Sequence, residues 1–85
     1  MDGNKLLKDC EPDEVNFSDG MCYGYIAGVY DQGRYTPRAC IPNGVTLKQL
    51  IDVTKQYLRD TPAKRHQGAD VLIVQAFRDA WPCPE

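Results

Sequence analysis

Four cysteines constrain the fold of this 85-residue chain more than any other feature, and they are Cys10, Cys22, Cys40 and Cys83. A chain this short buries a modest share of its surface, so cross-links contribute much of its stability. Small chains with an even number of cysteines are typical of oxidising compartments, where cysteines pair. The alternative is a cytosolic chain with four free thiols. No two cysteines have the Cys-x(2–4)-Cys spacing of zinc ligands. We therefore expect two structural disulfides, and no metal ion or other cofactor.

The spacing of apolar residues predicts four helices in a single domain that spans residues 1–85. Leu47, Leu50, Ile51, Thr54 and Leu58 recur at helical spacing behind the capping box formed by Thr46 and Gln49. Prolines and Asn-Gly mark the breaks between the other segments. The predicted helices cover residues 4–10, 18–32, 46–60 and a fourth segment that starts between 62 and 68 and ends at 81. The fold class is an all-α four-helix bundle.

The same topology selects one of the three pairings that four cysteines allow. Short connections favour antiparallel neighbours, so the end of the first helix lies near the start of the second. The end of the fourth helix likewise lies near the start of the third. We therefore predict the disulfides Cys10–Cys22 and Cys40–Cys83. In the chain-entropy model they contribute about 3 and about 4 kcal/mol.

The second predicted helix contains ten consecutive uncharged residues, 21–30, with Gly24 and Gly28 four residues apart. Each glycine inside a helix costs about 1 kcal/mol relative to alanine. We expect this cost to be offset by a neighbouring helix whose backbone approaches the glycines closely, as in small-xxx-small contacts. Asp31 follows at the C-terminal end, where the helix dipole disfavours a carboxylate, and we expect Arg34, Arg38 or nearby backbone amides to pair with it. A solvated surface acid is the alternative.

Composition and motifs exclude several classes of function. The net charge is −2 and the basic residues are scattered, so we do not expect a nucleic-acid partner. No apolar run approaches the roughly 18–20 residues that span a bilayer, so we expect no membrane partner. His66 is the only histidine, and we expect it to be exposed. No phosphate-binding glycine loop, HExxH or GxSxG motif is present, so we do not expect an enzyme.

Binding to another protein is therefore the expected role. Arginine and aromatic side chains dominate the energetics of interfaces, and both types occur in the loop 34–38. The candidate contact residues are Arg34, Tyr35 and Arg38. The acidic segment 11–14 is a second candidate. The alternative is that both are ordinary connecting loops.

Three motifs together resemble one known family. They are GYxxGxxD at 24–31, CxPxGVTxxQL at 40–50 and WPC at 81–83. The sequence resembles the Rap/Tai family of immunity proteins, which is linked to type VI secretion, and the similarity extends over residues 4–83. The resemblance implies an all-α, disulfide-bonded periplasmic protein. Its partner would be a peptidoglycan-cleaving amidase effector, which it would bind and block sterically, often as a homodimer.

A periplasmic location implies export, so we expect a leader peptide that is not part of this sequence. Two other functions remain open at this point. One is a small exported helical protein that binds a different partner. The other is a periplasmic chaperone that resembles the small acid-stress chaperones in architecture.

Overall fold

The computed structural model describes residues 1–11, 17–33 and 39–84. Within these ranges the chain forms four α-helices and no β-strand. The helices are α1 (Gly3–Cys10), α2 (Phe17–Gly33), α3 (Leu47–Asp60) and α4 (Ala69–Ala80). A short 3₁₀ turn, Pro62–Lys64, stands between α3 and α4. The predicted all-α bundle of four helices is confirmed.

The beginning of α3 follows directly from its local sequence. The Thr46 side chain accepts a hydrogen bond from the Gln49 backbone N–H (3.1 Å), and the Gln49 side chain accepts one from the Thr46 N–H (2.7 Å). The predicted capping box is thus present, and it satisfies two N–H groups at the helix start. The helix ends at Asp60, as expected ahead of Thr61-Pro62.

The fourth helix begins later than the sequence predicted, at Ala69. Residues 65–68 are held instead by the N-terminus of the chain. Gly3 donates its N–H to the Gln67 carbonyl (3.1 Å), and Asn4 donates to the Arg65 carbonyl (3.0 Å). The Ala69 N–H bonds to the Met1 carbonyl (3.0 Å). These long-range bonds keep the backbone before Ala69 out of the helix, and local sequence signals do not report them.

All four helices contribute side chains to one core. Five large aliphatic residues are almost fully buried there: Leu6 from α1, Ile26 from α2, Leu58 from α3, and Leu72 and Ile73 from α4. Thr54 is also buried and donates its hydroxyl to the Leu50 carbonyl one turn earlier (2.8 Å), so no polar atom of this side chain lacks a partner. Burial of these apolar side chains supplies most of the favourable folding free energy.

Both predicted disulfides are present, Cys10–Cys22 and Cys40–Cys83. The first ties the end of α1 to α2, and its cysteines are 4% and 1% exposed within the apolar core. The second ties the loop before α3 to the segment after α4, and both of its cysteines are exposed. The antiparallel arrangement of sequential helices accounts for both pairings.

Within residues 1–11, 17–33 and 39–84, no neighbouring helix makes the close contact with Gly24 and Gly28 that the sequence led us to expect. Both glycines are exposed, and apart from the adjacent residues and the backbone of α2 itself, no described atom lies within 4 Å of where a Cβ would stand on either. The helix turns its other side to the core, through Cys22 and Ile26. The helical spacing of Cys22 and Ile26 indicates this buried side, whereas the glycine spacing on the other side led us to expect a second packing surface.

Candidate partner-binding surface

The predicted contact residues Arg34, Tyr35 and Arg38 lie outside the described residues, as do residues 12–14 of the acidic segment. Their roles stay predictions. Asp31, for which Arg34, Arg38 or nearby backbone amides were the expected partners, is exposed at the end of α2. What the structure does give is the geometry of the residues that precede and follow segment 34–38.

In the sequence, segment 34–38 lies between the end of α2 and the Cys40–Cys83 disulfide. It follows the last residue of α2, Gly33. It precedes Cys40, which is disulfide-bonded to Cys83 and donates its N–H to the Trp81 carbonyl (2.9 Å). The Trp81 ring in turn packs at 6.2 Å from the Phe77 ring, which is buried in the core. The chain that follows the predicted contact residues is therefore anchored to the C-terminal end of α4.

The acidic segment is anchored at its first residue. Arg59 on α3 donates from Nε to Glu11 Oε1 (3.0 Å) and from Nη2 to Glu11 Oε2 (2.7 Å). These two hydrogen bonds from Arg59 are the main reason that the pKa of the Glu11 carboxyl is lowered, and burial opposes them. Glu11 thus stays ionised at neutral pH and joins the end of α1 to the end of α3.

A second surface, on α2, was not singled out from the sequence. Met21 and Tyr23 are 41% and 46% exposed, and they stand on either side of the exposed glycines Gly24 and Gly28. An exposed helix face of this length without a charged side chain is unusual for a surface helix. In the sequence this surface corresponds to the uncharged run 21–30, where the glycine spacing predicts a close helix contact.

The described residues contain no cluster of metal-binding side chains and no free thiol. Residues 1–11, 17–33 and 39–84 contain no group of three or more His, Cys, Asp or Glu side chains that could hold a metal ion. His66 is exposed on the turn before α4, and all four cysteines are cross-linked. No helix in the described part of the chain is long and apolar enough to cross a membrane.

Comparison with protein families shows which family this sequence matches. The family model of the Rap1a immunity proteins matches residues 2–83, which include all four helices and both disulfides. A search of curated proteins and a search of solved structures each gave no significant match. An immunity protein acts by binding an effector, so membership implies a non-enzymatic inhibitory role and an effector protein as partner. Because the match extends over nearly the whole sequence, this chain belongs to the family of Rap1a immunity proteins.

Proposed function

We propose that this chain binds a peptidoglycan amidase effector of a type VI secretion system and blocks its substrate cleft. The observation that carries the proposal is the match to the immunity family over residues 2–83. The motifs GYxxGxxD, CxPxGVTxxQL and WPC, on which the Rap/Tai resemblance rests, support the amidase as the effector class.

Segment 34–38 is the proposed inhibitory contact. It supplies two arginines and a tyrosine, the residue types that most often anchor protein interfaces. Its two ends are attached to the bundle, at the end of α2 and at the Cys40–Cys83 disulfide.

The proposed site of action is the periplasm. Two disulfides and the immunity family are consistent with an extracytoplasmic protein. Peptidoglycan lies outside the cytoplasmic membrane, so an inhibitor of an amidase that cleaves it must be exported. We further propose that the protein acts as a homodimer, as the Rap/Tai resemblance implies.

A pull-down with the oxidised protein tests the proposed partner. The immobilised protein is exposed to periplasmic and secreted extracts, and bound proteins are identified by mass spectrometry. We expect a small amidase of the cysteine-hydrolase class, and we expect the purified pair to release fewer peptidoglycan fragments than the amidase alone. Recovery of an effector with a different activity would overturn the amidase assignment. Recovery of many unrelated proteins at low pH alone would favour a chaperone.

Substitutions in segment 34–38 test the proposed contact. The variants Arg34→Ala, Tyr35→Ala and Arg38→Ala should each weaken amidase binding, by about tenfold or more at an anchor residue. Arg78→Ala is the matched control, because Arg78 is an exposed arginine on α4. The control should bind like the wild type. Equal binding by all four variants would place the inhibitory contact elsewhere.

A further inference from the structure

The turn between Cys40 and α3 contains a dipeptide that the proposed function does not use, Asn43-Gly44. Both residues are exposed, and neither belongs to a helix. Gly44 has a φ of +93°, in the left-handed region that favours glycine. Apart from the adjacent residues, no described atom lies within 4 Å of where a Cβ would stand on Gly44. Among the described residues, this turn is therefore open to solvent and uncrowded.

An asparagine side chain can be attacked by the backbone nitrogen of the residue that follows it. Here the Gly44 nitrogen loses its proton and bonds to Cγ of Asn43, and the side-chain amide nitrogen leaves as ammonia. The product is a cyclic succinimide. One water molecule then opens the ring at either carbonyl, which leaves aspartate or isoaspartate at position 43. The net reaction is hydrolysis of one amide by water, so it requires no oxidant, reductant or second protein.

The attacking group, the Gly44 N–H, is available for this reaction. Within residues 1–11, 17–33 and 39–84 it donates no hydrogen bond to another residue. A hydrogen bond would hold the proton and the direction of the nitrogen, and a side chain on the attacking residue would shield it, but glycine has none. We propose that Asn43 is a site of autocatalytic deamidation in the folded protein.

Asn4 has the opposite arrangement and provides an internal reference. It is also exposed, but it lies in α1 and is followed by lysine. The Lys5 N–H, which would be the attacking group, donates to Asp2 Oδ1 (2.9 Å) in the cap of the helix. This bond holds the proton of the nitrogen, and the lysine side chain shields it. Asn4 should therefore stay intact under conditions that convert Asn43.

The turn can be modified without loss of the bundle, because both of its ends are held. Ile41 and Val45, on either side of the turn, are partly buried and pack against the core. Cys40 is disulfide-bonded, and Thr46 begins α3 with its capping box. Deamidation thus adds one negative charge to an exposed turn, and the isoaspartate product also adds one methylene group to its backbone. The four helices stay in place in either product.

Incubation of the oxidised protein at mildly alkaline pH tests the site. Peptide mass mapping locates the converted residue, and an isoaspartyl methyltransferase labels the isoaspartate product. We expect conversion to increase with pH, because the attacking nitrogen must lose its proton. Conversion at Asn43 should exceed that at Asn4 by about tenfold or more, since only glycine leaves the nitrogen unshielded. The converted protein should keep the helical circular dichroism of the starting material.

Two further samples make the result decisive. Wild type unfolded in guanidinium chloride sets the incubation time, because Asn43 is accessible there whatever the fold does. The variant Asn43→Gln keeps an amide but places it one methylene further from the Gly44 nitrogen, and its conversion at position 43 should fall below detection. Conversion of Asn43 in the unfolded protein with none in the folded protein would overturn the proposal, since the fold would then protect the turn. Equal conversion of Asn4 and Asn43 in the folded protein would overturn it as well.

Discussion

Glycine has opposite roles at two positions of this chain. Gly3 is buried, and a Cβ there would stand 2.9 Å from the Arg65 carbonyl oxygen and would also meet the Leu72 side chain. Gly24 is exposed, and apart from its own helix backbone and adjacent residues it has no described atom within 4 Å of its Cβ position. The sequence indicates a special role for Gly24, because glycines recur every four residues around it. It gave no signal at Gly3, whose neighbours come from residues more than sixty positions away in the chain.

Alanine substitutions at these two glycines should change stability in opposite directions. Gly3→Ala should lower the free energy of unfolding by about 1–3 kcal/mol, since the backbone near Arg65 must move to admit the methyl group. Gly24→Ala should raise it by about 0.5–1 kcal/mol, because alanine is the better helix former at an open helical position. Urea denaturation of dilute, monomeric protein, with unchanged m-values, measures both. A Gly3→Ala variant as stable as the wild type would contradict the close contact seen here.

At the scale of single elements, sequence prediction succeeded where the signals are local. The capping box at Thr46 and the stop at Thr61-Pro62 involve neighbouring residues, and both bounds of α3 agree with the prediction. The start of α4 was predicted too early, because residues 65–68 bond to the first residues of the chain. The two disulfides were predicted from topology, since antiparallel neighbours bring specific helix ends together.

The two disulfides should differ in how readily they are reduced. Cys40 and Cys83 are exposed, whereas Cys10 and Cys22 are buried in the core. A thiolate must reach a sulfur atom to open the bond, so limited dithiothreitol should cleave Cys40–Cys83 first. Alkylation followed by peptide mass mapping identifies the opened pair. We expect alkylated Cys40 and Cys83 in a protein that keeps its helical circular dichroism. Simultaneous alkylation of all four cysteines would contradict the expectation.

At the scale of the whole molecule, the sequence predicted the scaffold better than the binding surfaces. Apolar spacing defines the helices because it follows burial, and short connections between the helices limit which cysteines can pair. The exposed side of α2 around Gly24 and Gly28 was not predicted, because glycines four residues apart indicated a close helix contact. The effector is harder still to predict, since one scaffold can present many surfaces and binding depends on the surface alone.

The contact between Glu11 and Arg59 should make the stability of the bundle depend on pH. It joins residues 48 positions apart, at the ends of α1 and α3. The pKa of Glu11 is lower in the folded protein than its ordinary value of 4.5, chiefly because Arg59 hydrogen-bonds to the ionised carboxylate. The stabilisation is therefore fully present above pH 4.5 and is lost as the pH falls through the lowered pKa. Because both side chains are close to half exposed, it amounts to at most about 1 kcal/mol.

Thermal unfolding of Glu11→Gln and the wild type across pH 2.5–7 checks this contribution. The variant should melt at a lower temperature at neutral pH, and the difference in Tm should shrink as the pH falls below 4.5, because the wild-type carboxyl then becomes neutral as well. Asp52→Asn is the matched control, since Asp52 is an exposed α3 carboxylate whose contact with Lys48 is longer, at 3.4 Å. Its effect on Tm at neutral pH should be smaller. If the difference between Glu11→Gln and the wild type is the same at every pH, then ionisation of Glu11 does not stabilise the bundle, and the side chain acts through packing alone.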